Sequence, residues 1–430
     1  MKDVIGASAT WMARAIRTKR ISSEEVVSAH IERIGAVNPH LNAVVRTEGH
    51  RALVQARDAD RLLARRGAKF GPLHGVPFTA KDIFDTAGVA TTAGLTKLSK
   101  NVPTTDAAVI ARMRAAGAIL IGKTNCPPGG EGGDSANSIH GGTRNPYNLE
   151  RSPGGSSSGE AAIIGAGGSV VGLGSDSGGS IRLPAHYCGI AALKPTTGLI
   201  PSTGAYKLRG GLEDPRSQVG PMARYVEDLW LLLRVMAGPD GVDSGVIPMP
   251  LARRIPLPRK LKVAWYADDG IVKSSRATVA AVRAAAHALH SAGCRVSEAR
   301  PPGLREAREV TLGYWGRRLM TQDRLLMRWD AFRSGLLAFM SEYDVILSPV
   351  AAGPAPPYGA RLPLADQFSH TIPYSLGGNP CVVVRAGTSP EGLPIGVQVV
   401  ARNWSDEIAL SAARRIEKAL GGWRPASVIP

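Results

Sequence analysis

The hydrophobic positions keep changing their period along the chain. Val27, Ile31 and Ile34 recur on one helical face behind Ser22-Ser-Glu-Glu25, a capping box, which predicts a helix over about 23–36 with Pro39 past its end. Residues 43–65, rich in Ala, Arg and Leu, read as a second helix. Gly71-Pro-Leu-His-Gly-Val-Pro77 is loop punctuation, and the short apolar piece Phe78-Thr-Ala ends at Lys81-Asp82. Asp106 opens a helix carrying Val109, Ile110 and Met113; Gly117 closes it, and Ala118-Ile-Leu-Ile121 reads as a buried strand. Farther along, strands at 261–265, 295–297, 343–347 (stopped by Pro349), 381–384 and 395–400 alternate with helices at 277–291 and 405–420. This alternation predicts one α/β domain.

The segment 128–180 breaks the pattern. Gly and Ser dominate it, yet Ala161-Ala-Ile-Ile164 and Val170-Val-Gly-Leu173 interrupt it, and a flexible linker lacks such apolar stretches. It reads as an ordered core where backbone approaches backbone, or a ligand, closely. Two Gly-Gly-Ser sequences end at Ser156 and Ser180. Glycines let the chain turn sharply so that a hydroxyl projects, and the N–H groups beside it converge where a tetrahedral oxyanion would lie. Each sequence alone also fits a plain turn or an anion-binding nest, although a phosphate-loop lysine is lacking.

A nucleophilic serine needs a base. His74, His140 and His186 lie near the Gly-rich parts. Gly155-Ser-Ser-Ser-Gly159 matches G-x-S-x-G on Ser157, but Asn145 to Pro153 reads as loop where a nucleophile elbow needs a strand. Lysine is the alternative, because desolvation strips its charge and leaves an amine that accepts a proton near neutral pH. Lys81 follows the apolar run Val76-Pro-Phe-Thr-Ala. From these residues alone, histidine and lysine both remain open.

Composition narrows the partners. The chain has 430 residues, 44% of them hydrophobic and 20% charged, as in ordinary soluble proteins. Its net charge of +17 would suit nucleic acid or an anionic membrane. The Lys and Arg are scattered in pairs, however, so a solvated basic surface is the expectation and no nucleic-acid partner is expected. The four Cys show no metal-ligand spacing and are too few for a disulfide scaffold, which points to no metal and a reducing compartment. Met1 to Ser22 lacks a continuous apolar run and a cleavage signal, and no apolar run reaches the length of a membrane span. We therefore expect a cytoplasmic protein with no membrane association.

Several segments taken together are specific. Gly75-Val-Pro77 with Lys81-Asp82, Gly154-Gly-Ser-Ser157, Gly174-Ser-Asp-Ser-Gly-Gly-Ser-Ile-Arg182, Cys188-Gly-Ile-Ala-Ala-Leu-Lys-Pro-Thr196 and Pro394-Ile-Gly-Val-Gln398 occur in an order and spacing that resembles the amidase signature family. The resemblance implies a single domain over 1–430 with a mixed, twisted central β-sheet covered by helices on both faces. It places the signature core at about 70–225 and a less typical region at about 239–340, including the Pro-rich 248–259. It implies Ser180 as nucleophile, Ser156 as bridging serine after a cis peptide bond, and Lys81 as base. The oxyanion donors become the amides of Ser177, Gly178, Gly179 and Ser180. Asp176 and Arg182 would organise the nucleophile turn, with a purely structural role equally open, and Ser157 would support the triad. No cofactor is implied.

Substrate choice usually lives in loops over the nucleophile. The candidates are Cys126-Pro-Pro-Gly-Gly130, with Gly129 and Gly130, and 200–214, with Arg209. The expected substrates are small amides, anilides and carbamates (urethanes), handled by a monomer or homodimer. The rival reading is a glutaminase component of a tRNA-dependent amidotransferase. Ser158-Gly159-Glu160 speaks against it, since it resembles the branch containing fatty-acid amide hydrolases and similar small-amide enzymes.

Overall fold

The strands are β1 (Val44–Thr47), β2 (Pro77–Lys81), β3 (Ile119–Thr124), β4 (Val171–Asp176), β5 (Ala191–Lys194), β6 (Gln218–Ala223), β7 (Lys262–Trp265), β8 (Arg295–Glu298), β9 (Val345–Pro349), β10 (Cys381–Thr388) and β11 (Pro394–Ala401). In this computed structural model they join into one mixed sheet of order β1-β3-β2-β4-β6-β5-β10-β11-β9-β7-β8. The structure describes all residues except 1, 209, 212–214, 253–254, 256–259, 317–321 and 427–430.

Strand periodicity sends neighbouring side chains to opposite faces, and both faces are covered. Leu120, Leu193, Val382 and Val384 pack into one core with the helices Val226–Met236, Arg276–Ser291 and Asp406–Leu420. Ile119, Ile121, Ala192 and Val383 point the other way, against the helix Ser158–Gly165. This arrangement matches the expected mixed sheet between helical layers.

The parallel strands β2, β3 and β4 carry the Gly/Ser-rich motifs to one edge. Thr79 and Ala80 pair with Gly172 and Leu173, while Lys81 pairs with Thr124, so the carboxyl ends of three strands lie together. In open α/β sheets that end is where ligands bind. The helix Ser158–Gly165 is fully buried against these strands. Its close seat depends on glycine: a Cβ at Gly159 would come within 2.4 Å of Ala43 O and Asn125 N. Opposite it on β4, a Cβ at Gly172 would lie 1.8 Å from Glu160 Oε1.

Several elements differ from the sequence expectation. Residues 44–47 form β1 rather than the start of a helix, which begins only at Gly49. The β-branched Val44, Val45 and Thr47 suit a strand, and pairing with β3 overrides the helical composition downstream. The capped helix runs on through Pro39 to Leu41 and ends at Asn42 in the left-handed region. Pro349 is the last residue of β9 instead of its stop. In the Pro-rich 248–259, Met249, Leu251 and Ile255 pack against the core, while 253–254 and 256–259 lie outside the described residues.

The helix–sheet contact at Gly172 yields a stability test. Gly172→Ala overpacks the interface and should cost about 1–3 kcal/mol or more, read as a lowered urea midpoint at unchanged m-value.

Candidate active site

Lys81 ends β2 and is wholly buried. Its Nζ lies 2.7 Å from Ser156 Oγ and 2.9 Å from Ser175 Oγ. Burial, the largest influence, pulls its pKa down to about 8. A neutral amine has two N–H donors and one lone pair, so it can donate to Ser175 while accepting from Ser156.

The neighbouring Lys123 has a different set of partners. It too is wholly buried, but Asp82 lies 3.5 Å away and its Nζ donates to Phe84 O and Thr91 Oγ1. Lys81 makes no ion pair among the described residues; hydroxyls are its hydrogen-bond partners. Burial lowers the pKa of both lysines, and at Lys123 the nearby Asp82 opposes that shift.

The Gly155–Ser156 peptide bond is cis, and Ser156 is buried beneath the start of the helix Ser158–Gly165. Ser157 caps the crossing to β4. Its Oγ accepts from Ser175 N and donates to Ser175 O, both at 3.3 Å, and its N–H donates to Ser180 O at 3.1 Å. Both Gly-Gly-Ser turns are thus brought together through backbone. Ser180 itself is half-buried, and its hydroxyl has no hydrogen-bond partner among the described residues. The contact between Ser156 and Ser180 is not formed in this resting state. Catalytic hydrogen bonds of free enzymes often tighten only when substrate is present.

The turn Ser177–Ser180 is held from behind. Asp176 Oδ2 accepts from Ile181 N at 3.1 Å, Arg182 N at 3.3 Å and Arg182 Nε at 3.0 Å, and its Oδ1 accepts from Arg182 Nη2 at 2.9 Å. Burial works against this carboxylate, but the Arg182 guanidinium and its hydrogen bonds, helped by Lys194 and the Ile181 N–H, hold it below its ordinary range. Arg182 continues to Thr371 O, Ser375 Oγ and Gln398 Oε1. Thr371 Oγ1 also donates to Gly178 O. Because a peptide is planar, pinning that carbonyl turns the Gly179 N–H the opposite way. Among the described residues, the amides of Ser177, Gly178, Gly179 and Ser180 have no acceptor. Four unspent donors on a rigid turn beside a half-open hydroxyl suit a developing oxyanion.

Gly129 and Gly130 are both at positive φ. A Cβ on Gly130 would lie 3.5 Å from Lys81 Nζ, and one on Gly129 would lie 3.6 Å from Lys207 Nζ. The two loops singled out in the sequence therefore meet beside Lys81. Arg209 lies outside the described residues.

The histidines turn elsewhere. His74 contacts Ala59 O, His140 contacts Thr92 Oγ1, and His186 sits between Gly396 and Gly353. None of these contacts involves Ser156, Ser157 or Ser180. Sequence reasoning missed Ser175, although its signal was present: it is part of the motif around Ser180. It also missed Thr371 and Ser375, which lie nearly two hundred residues downstream on no recognisable motif.

The chain is similar to known proteins over nearly its whole length. A profile of the Amidase family matches residues 25–324 and 317–410. An acylamidase of Rhodococcus erythropolis is 33% identical, with 95% of this chain and 94% of that protein covered. A glutamyl-tRNA(Gln) amidotransferase component from Geobacter metallireducens is 32% identical, covering 94% of this chain and 95% of its own. A solved fatty acid amide hydrolase superposes with a TM-score of 0.89 at 28% identity, covering 97% of this chain and 86% of its own.

The ion pair and the buried amine each lead to a measurement. Arg182→Met leaves Asp176 an unpaired buried charge and should cost about 3–5 kcal/mol in urea unfolding, partly recovered when Asp176 is made apolar as well. If Lys81 acts as a base, its deprotonated form is the active one. kcat/KM should then rise with pH through a midpoint near 8, as its lowered pKa requires.

Proposed function

The chain belongs to the amidase family and is a C–N hydrolase of amides, and from that premise we propose an acyl transfer carried by Ser180 with Lys81 and Ser156 as its proton relay. The observation that carries the proposal is Lys81: fully buried, without a carboxylate in contact among the described residues, and bonded to Ser156. Neutral Lys81 takes the proton of Ser156, and Ser156 takes that of Ser180 as its oxygen attacks the carbonyl. The negative charge moves to the carbonyl oxygen, facing the amides of residues 177–180; one such donor is worth about 3–4 kcal/mol. The C–N bond then breaks while the relay returns the proton to the leaving nitrogen, because an amide anion leaves poorly. Water, losing a proton to the same relay, releases the acyl group and regenerates Ser180.

The substrates we propose are small amides, including anilides, and carbamates, whose carbonyl is attacked in the same way. Aromatic walls next to the oxyanion turn support an aryl preference. A Cβ on Gly178 would lie 3.0 Å from the Trp315 ring and one on Gly179 would lie 2.6 Å from the Phe368 ring. The two rings meet edge to face at 6.5 Å. Such a surface can receive a planar substituent by stacking. The glutaminase reading has relatives of similar identity behind it, but no feature of the site described above favours a glutamine substrate.

Ser180→Ala and Lys81→Ala should each reduce turnover of a chromogenic anilide about a thousandfold or more while the fold persists by circular dichroism. Near-native rates in either variant would remove the assignment. The wild type should hydrolyse the anilide far faster than free glutamine; the reverse order would transfer the chain to the amidotransferase reading.

A further inference from the structure

Glu160 is a wholly buried carboxyl that the relay does not use. It sits in the first turn of the helix Ser158–Gly165 and points at the sheet. No Lys or Arg hydrogen-bonds or ion-pairs with it among the described residues; its partners are hydroxyls. Thr124 Oγ1 donates to Oε2 at 2.8 Å. Thr79 Oγ1 contacts Oε1 and also lies 3.0 Å from Ser169 Oγ. Ser169 Oγ in turn donates to Val171 O at 2.9 Å.

Counting protons decides what Glu160 must be. A backbone carbonyl only accepts, so Ser169 spends its single hydroxyl proton on Val171. The Thr79–Ser169 contact then needs the proton of Thr79. Nothing remains for the contact between Thr79 and Glu160 Oε1 unless the carboxyl supplies it. An ionised Glu160 would leave one of the three contacts without a proton, with lone pairs facing each other in a dry interior, which is costly. A protonated Glu160 satisfies all of them.

Among the described residues, the titratable group that faces this carboxyl is Lys81, two residues beyond Thr79 on the same face of β2. We propose that Glu160 stands in the resting enzyme as an un-ionised acid, and that its neutrality keeps Lys81 free of a counter-charge and so available as a base. The second half rests on the reading of Lys81 given above; the first half does not. Glu160 acts through Lys81 and is thus a positioning residue. Burial pushes its pKa up to about 8, in the same direction. A carboxylate in its place would stabilise the Lys81 ammonium and move the base out of its working range.

The test uses the full chain with carboxyl-labelled glutamate. Infrared spectra at neutral pH should contain the carbonyl stretch of a protonated acid that vanishes in Glu160→Gln. A wild-type spectrum without such a component overturns the proposal, whatever the role of Lys81. Glutamine keeps a neutral side chain with a donor, so the rising limb of kcat/KM against pH should keep its wild-type midpoint. A midpoint displaced downward by a full unit would mean that the native side chain was ionised and raising Lys81, and would also overturn it. Should the glutamine variant not fold, Glu160→Asp identifies the infrared component by the same loss or shift.

Discussion

Taking one lysine out of water and offering it hydroxyls instead of a carboxylate is the constraint on which this site depends. An ammonium group buried without a counter-charge is expensive, and the amine sheds its proton to avoid the cost. Lys123 offers a comparison: it is equally buried, lies on the adjacent strand and is also pushed down by burial, but Asp82 beside it opposes the shift. The two amines therefore differ in one neighbouring carboxylate. The three-strand edge exists to hold that difference, because β2 supplies the amine, β4 supplies Ser175, and the helix between them follows Ser156.

The second requirement is a turn that neither relaxes nor closes on itself. Among the described residues its four amides are not spent on the protein, and an unspent turn must be held from outside. Asp176 and Arg182 do this from below, and Arg182 is oriented by Thr371, Ser375 and Gln398. Gln398 Nε2 also donates to Pro349 O and His370 O and lies 3.1 Å from Ser348 Oγ. The antiparallel half of the sheet thus supports the parallel half, and this explains physically why the C-terminal Gly-Val-Gln stretch belongs with the nucleophile motif. A buried pair of this kind is weak evidence of stability, and its value here is geometric.

Much of this was legible in the chain because local rules and tertiary structure agree. The capping box at Ser22 started a helix, Gly117 ended one, and the apolar runs at 118–121 and 395–400 became buried strands. Where packing overrode local preference, the reading failed: 44–47 joined the sheet edge beside a helix-rich segment, and the helix carrying Pro39 continued past it. At the site, the two serines and the lysine were visible through their motifs, but the choice of lysine over histidine was not decidable from composition or spacing. The proposed choice rests on burial and on the partners each side chain finds. Ser175, Thr371 and the hydroxyl chain around Glu160 were hidden for a similar reason, since contacts made across strands and between distant segments leave no local period.

The proposed chemistry stands or falls on the charge of one amine. Lysine side chains labelled at Cε and Nζ, with the Lys81 resonance identified by its loss in Lys81→Met, allow that amine to be titrated directly by nuclear magnetic resonance in the substrate-free enzyme. Lys81 should lose its proton with a midpoint near 8, well below the ordinary lysine range. An ammonium that persists into that ordinary range would show that Lys81 is a structural cation, and the proposed relay would have no base.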